Sequence, residues 1–189
     1  MAHTYSIGVD IGGTNTDIGL VREDGKIVAR HNIPTNKYFD IEVYLKDIVE
    51  HVKAMMKENE VETIDGIGIC APNGNTYNCT FSGATNLNFK GEFNVQEIVN
   101  KYMDVKVVVS NDANAAAFGE MIYGGGKGMK HLIMFTLGTG VGTGIIVDGK
   151  LLLGATGYEV IAISQAEHLG DTHCLNLISC ESICIVKIR

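Results

Sequence analysis

Residues 10–16 read Asp10-Ile11-Gly12-Gly13-Thr14-Asn15-Thr16, and the reading of this heptad decides the fold. Two adjacent glycines let the backbone turn sharply and present main-chain N–H groups outward, while Thr14 and Asn15 add side-chain groups suited to phosphate oxygens. A carboxylate just before the turn, Asp10, is placed to hold Mg2+ indirectly through water. Taken alone, the string is also an ordinary hairpin turn. The flanks are strand-like: residues 5–9 and 16–21 on either side, then Glu23-Asp24-Gly25 as a second turn and a third strand at 26–32.

Outward from these strands, Ile41, Leu45, Ile48, Val49, Val52, Met55 and Met56 recur at helical spacing over residues 39–59, with Asp40 as the N-cap. A buried strand at 64–71 ends in Pro72-Asn73-Gly74, residues 73–91 read as a loop, and Asn94 caps a short helix reaching 102. A strand at 105–110 runs into an alanine-rich helix at 112–123, and Gly124-Gly125-Gly126 reads as a hinge or linker. Strands at 131–137, 143–147 and 150–153 follow. The order βββαβαβα, then a fresh β-turn-β, predicts an α/β protein. Its first domain covers 1–123, a second begins over 124–157, and 158–189 form a tail.

The chain has 189 residues, with 22 acidic against 15 Lys and Arg, a net charge of -7. That balance, without a basic run, argues against nucleic-acid and anionic-membrane partners. Anionic ligands must then be met by backbone donors. Apolar stretches are too short to span a membrane and no secretory pattern opens the chain, so a cytoplasmic location is expected. Five cysteines without a C-x-x-C pair fit reduced thiols.

Two further segments carry chemistry. Leu137-Gly138-Thr139-Gly140-Val141-Gly142-Thr143-Gly144 is a second Gly/Thr turn between strands, lacking the lysine and helix of a P-loop. In Ser110-Asn111-Asp112-Ala113-Asn114-Ala115 a strand end delivers Asn111 and Asp112 into a helix start. Asp112 there can serve as a helix cap or take a proton from an attacking hydroxyl.

Together with GIGICAPNG (residues 66–74) and ATNL (84–87), these strings resemble, in order over about 150 residues, the ROK family of glucokinases and related hexose kinases. That family lies within the sugar-kinase and actin-like ATPase superfamily. The resemblance implies a ribonuclease H-like α/β domain followed by the start of a second such domain. It also implies transfer of the ATP γ-phosphate to a hexose 6-hydroxyl, with ATP and Mg2+ required and a hexose such as glucose as substrate. By position, Asp112 resembles the catalytic base; Asn86, Asn111 and the Gly74 loop resemble sugar ligands. Gly12, Gly13, Thr14 and Asn15 resemble one phosphate loop, and Thr139, Gly140 and Gly142 the other. Asp10 would help position Mg2+. Asp17 departs from relatives, in which that position is often basic or apolar.

The resemblance ends at Tyr158, where the family continues with an A-G-E-x-G-H sugar- and zinc-binding motif. No such motif follows in register, so no zinc site is assigned, and His168, His173, Cys174, Cys180 and Cys184 read as ordinary side chains. The expectation is a shortened kinase whose reading frame changes after about Tyr158, with reduced or no activity. Exposed sheet edges should then drive self-association unless the tail covers them. A non-catalytic sugar-sensing or interaction protein on the same fold is the alternative. A DNA-binding repressor is disfavoured, since no helix-turn-helix precedes Asp10. An actin-like ATPase or carboxylate kinase leaves the Asn86 and Asn111-Asp112 pattern without explanation.

Overall fold

Along Tyr5–Ile11 (β1) the alternation of side chains sends Ile7, Val9 and Ile11 into the core and leaves Gly8 and Asp10 on the opposite face. Strand Asn15–Arg22 (β2) returns antiparallel to β1, and Ile27–Pro34 (β3) completes the meander. The computed structural model describes residues 3–82, 87–137, 141–154, 156–157, 162–163 and 182–187.

After a 3-10 turn at Thr35–Lys37, helix α1 spans Ile41–Glu58. The Asp40 carboxylate accepts the amides of Glu42 at 2.8 Å and Val43 at 3.0 Å, the cap foreseen from the sequence. Tyr44 joins the expected apolar stripe, which buries Leu45, Ile48, Val49, Val52, Met55 and Met56 against the inner face of the sheet. Strand Ile67–Cys70 (β4) lies parallel to β1. Short strands Gly74–Asn75 (β5), Thr80–Ser82 (β6) and Glu92–Asn94 (β7) form a small antiparallel sheet of their own. Helix Val95–Asn100 (α2), capped by Asn94 on the Glu97 amide at 3.1 Å, leads to Val107–Ser110 (β8), parallel to β4. The main sheet is therefore mixed, in the order β3-β2-β1-β4-β8.

The chain divides into two compact units, Met1–Asp112 and Ala113–Arg189. In the second, helix Asp112–Tyr123 (α3) precedes Leu132–Leu137 (β9), Val141–Val147 (β10), Lys150–Leu151 (β11), Ala162–Ile163 (β12) and Ser182–Lys187 (β13). The strand order is β11-β10-β9-β13, with β12 also pairing β10. Ala117, Leu132, Met134 and Ile146 form its core.

Three features differ from the sequence expectation. Residues 73–91 are not merely loop, because they hold β5 and β6; strands of two and three residues are too short to show a period. The triple glycine is no open linker: the amides of Gly124 and Gly126 both donate to the Glu120 carbonyl at 3.0 Å, and that of Gly125 to the Glu120 carboxylate at 2.7 Å. These bonds wrap the segment over the end of α3. Most of α3 also falls in the second unit rather than with residues 1–111, because Ala113 and Ala117 lie against β10. The outer edge of β9, expected to stay open unless the tail or a partner covers it, is paired along its length by β13 from the tail. Among the described residues no helix is long and apolar enough to cross a membrane.

The approach of β10 to α3 depends on Gly144, where an added Cβ would sit 2.3 Å from the Ala117 Cβ and 2.6 Å from the Ala113 carbonyl oxygen. Gly144→Ala is expected to destabilise the second unit by about 1–3 kcal/mol or more, seen as a lower midpoint in urea unfolding.

Candidate functional site

The register of the main sheet aligns Asn32, Asp17, Asp10, Cys70 and Ser110 side by side on β3, β2, β1, β4 and β8. Period-two alternation places this row on the face away from the α1 stripe. Asn32 donates its side-chain amide to Asp17 at 3.0 Å, so the unexpected carboxylate at position 17 has a partner within the sheet.

Two of the five are carboxylates, Asp17 and Asp10, on neighbouring strands. Burial raises the Asp10 pKa above the ordinary carboxylate range, and the charges of Asp112 and then Asp17 push it further. Burial, followed by the charges of Asp10 and Asp112, likewise pushes the Cys70 thiol up to about 12. Cys70, flanked in the row by Asp10 and Ser110, is thus held in its neutral thiol form at neutral pH. Asp112 opens α3, where a negative side chain is favoured by the exposed N–H groups of the first turn. Asn111, immediately before it, is buried.

Around this row the backbone is tightly stitched. The Gly12 amide donates to the Asn15 carbonyl at 3.0 Å, closing the Gly-Gly turn, and the Thr35 amide holds the Thr14 carbonyl at 2.8 Å. The Ala71 amide donates to the Ser110 carbonyl at 3.0 Å, and the Gly74 amide to the Ala71 carbonyl at 3.0 Å. Gly74 is obligatory here, since a Cβ would fall 2.3 Å from the Ser110 carbonyl oxygen. Two buried hydroxyls beside this crossing, on Ser110 and Thr76, have no hydrogen-bond partner among the described residues. Such groups are costly to bury unless something completes their hydrogen bonding.

Of the residues singled out in the sequence, Asp10, Gly12, Gly13, Thr14, Asn15, Gly74, Asn111 and Asp112 all lie in the first unit. Gly142 lies in the second, on β10, opposite Thr136 and Ala162. Asn86, Thr139 and Gly140 lie outside the described residues, although Leu137 pairs with Val141 on either side of the second turn. His168, His173, Cys174 and Cys180 are also outside, and Cys184 is placed only as part of β13. Among the described residues no group of three or more His, Cys, Asp or Glu is arranged to hold a metal by itself. Cys70, Ser110 and Thr76 escaped the sequence reading. Cys70 carried a signal, being out of phase with the core residues Ile67 and Ile69; the two hydroxyls carried none.

The ROK family pattern matches residues 6–161. Over 152 residues the chain is 41% identical to a glucokinase of Streptomyces coelicolor, aligning 80% of this chain with 46% of that relative. It is 29% identical over 157 residues to a xylose repressor of Bacillus spizizenii, covering 82% of this chain and 40% of that protein. A solved structure of a ROK family glucokinase from Streptomyces griseus, in complex with glucose and AMPPNP, superposes with a TM-score of 0.69 at 34% identity. That match covers 82% of this chain and 48% of the other. The chain spans about half the length of the relatives it matches. Its α/β architecture with a mixed sheet is that of the ROK sugar-kinase structures.

The raised Asp10 pKa has a signed consequence. A carboxyl that holds its proton more tightly folded than unfolded contributes stability below the unfolded pKa and loses it as pH rises through the folded one. Asp10→Asn is therefore expected to raise the melting temperature at pH 7, with the gain vanishing below about pH 4. A melt series across pH checks both the sign and the window.

Proposed function

The chain belongs to the ROK family, and from that premise we propose that it is, or forms part of, an ATP-dependent hexose kinase acting on a sugar such as glucose. The observation that carries the reading is the placement, within the first unit, of Asp10 on β1 entering the Gly12–Gly13 turn and of Asp112 at the end that opens α3. One carboxylate serves the acceptor and the other the phosphate end.

In this mechanism Asp112 accepts the proton of the sugar 6-hydroxyl as that oxygen bonds to the γ-phosphorus. The bond from the γ-phosphorus to the bridging oxygen breaks, and ADP leaves with that electron pair. Phosphoryl transfer of this kind needs mainly positioning, charge stabilisation and such a base. Asn111, Asn86 and the Gly74 loop orient the sugar, with the unpartnered hydroxyls of Ser110 and Thr76 near at hand in that loop crossing. The turn that the Gly12 amide closes on Asn15 presents the Gly13 amide and the side chains of Thr14 and Asn15 to phosphate oxygens, and Thr139, Gly140 and Gly142 supply the second phosphate turn. In so acidic a chain, main-chain donors are the means of holding an anion.

Mg2+ fits this site, because the carboxylates of Asp10, Asp17 and Asp112 are hard oxygen donors whose mutual repulsion at Asp10 a cation would relieve. Once bound, the ion would offset phosphate charge. The proposal places the protein in the cytoplasm; with β13 covering the outer edge of β9, that edge gives no ground for self-association. The second reading, a non-catalytic sugar sensor, draws on the likeness to a xylose repressor.

The test is ADP release with glucose, mannose, N-acetylglucosamine and N-acetylmannosamine, for the wild type and Asp112→Asn. Turnover with one of these sugars, falling by about 100-fold or more in the variant, is the expected result. Turnover that survives Asp112→Asn removes the proposed base. Sugar binding without turnover favours the sensor.

A further inference from the structure

Three hydroxyls sit together in an otherwise apolar core beneath the Gly12–Gly13 turn. Thr16 Oγ1 bonds Thr35 Oγ1 at 2.7 Å and also bonds the Tyr44 hydroxyl. Tyr44 and Thr16 are wholly buried, and Thr35 is only 2% exposed. Aliphatic side chains would fill such a space without the cost of burying hydroxyls, a cost removed only while the three remain in register. They come from separate elements: Thr16 from the start of β2, Thr35 from the 3-10 turn, and Tyr44 from the first turns of α1.

The Tyr44 ring is itself fixed. It stacks on Phe89 with centroids 5.1 Å apart and packs against Tyr38 at 5.0 Å. Thr16 directly follows the turn residues Thr14 and Asn15, and Thr35 also holds the Thr14 carbonyl through its own amide at 2.8 Å. Both ends of the Thr14–Thr16 stretch therefore lead to one buried hydroxyl cluster, and the cluster leads to α1. Burial pushes the Tyr44 hydroxyl up to about 12 against the opposing pull of its Thr16 and Thr35 bonds, with Asp10 adding to the rise, so it stays protonated and able to donate.

We propose that Tyr44 is a positioning residue for the phosphate turn, acting through Thr16 and Thr35 to hold the Gly12–Asn15 backbone in the form that receives the ATP phosphates. The phosphate half of this inference rests on the kinase reading; the anchoring half does not.

The experiment compares wild type, Tyr44→Phe, Thr16→Val, Thr16→Ser and the Tyr44→Phe/Thr16→Val double variant. Tyr44→Phe leaves the Thr16–Thr35 bond intact and should fold, and Thr16→Val serves as a second probe of the same link. Hydrogen exchange is read at the amides of Gly12 and Thr35, and calorimetry gives the Kd of Mg·ATP and of glucose. Tyr44→Phe should speed exchange at these two amides more than in the rest of the sheet and weaken Mg·ATP about three- to tenfold, with glucose affinity changed by less than about twofold. Thr16→Val should do the same, the double variant should be no worse than either single one, and Thr16→Ser, which keeps the hydroxyl, should restore wild-type behaviour.

Unchanged exchange at Gly12 and Thr35 in Tyr44→Phe overturns the anchoring, whatever the kinase assay shows. Additive effects in the double variant overturn the route through Thr16. Equal loss of ATP and glucose affinity overturns the positioning role in favour of a general structural one. A wild type that binds glucose but no Mg·ATP overturns the kinase reading and the phosphate half with it, while faster exchange in the variant would still support the anchoring.

Discussion

The register of β1 is the constraint on which the rest of the first unit depends. This strand is paired on both edges, antiparallel to β2 and parallel to β4, and its alternate residues Ile7, Val9 and Ile11 are locked into the core. A slip of one residue would turn Asp10 inward and three apolar side chains outward, so the core penalty fixes where the carboxylate stands. The same register brings Cys70 and Ser110 alongside on β4 and β8, and starts β2 directly after the glycine turn. Packing of an ordinary hydrophobic face thus decides the geometry of a polar one.

That polar face is a concentration of like charge held together by the core behind it. Burial first, and then the charges of Asp112 and Asp17, raise the Asp10 pKa, so Asp10 carries the cost of the arrangement. Cys70 stands next to Asp10 in the row, and burial with the charges of Asp10 and Asp112 keeps it neutral. Asn32 partly relieves Asp17 by donating to it. A protein can maintain such an arrangement only where stability from elsewhere exceeds the repulsion, which is a common property of sites prepared for a cation or a reacting proton.

Elements with a strong period or a cap were legible in the sequence. The α1 stripe, its Asp40 cap, the Asn94 cap and the strand-turn-strand around Gly12 all depend on contacts within a few residues, which spacing reveals. What spacing could not reveal were contacts between distant segments. The Gly74 backbone against the Ser110 carbonyl, the Thr16–Thr35–Tyr44 cluster and the alignment of Cys70 with Asp10 join residues 19 to 60 positions apart, and each is a product of sheet order rather than of local pattern. Gly124–Gly126 misled for a related reason: composition marks glycine as permissive, but the Glu120 carboxylate and carbonyl convert that freedom into a helix cap.

The second unit shows how a sheet edge can be satisfied by sequence that bears no family pattern. The ROK match stops at residue 161, yet β13 at Ser182–Lys187 pairs with the whole of β9 from Leu132 to Leu137. Edge pairing is made chiefly by main-chain N–H and C=O groups, so it asks of the added strand only length, extended propensity and freedom from proline. Ser-Ile-Cys-Ile-Val-Lys meets all three. The contrast with Gly144 is instructive, because there the neighbour is a helix at close range and a single added carbon would collide with it. Strand edges accept many sequences and helix-on-strand crossings accept few, so another extended segment could take the place of β13, whereas β10 and α3 approach as they do only with Gly144 against Ala113 and Ala117.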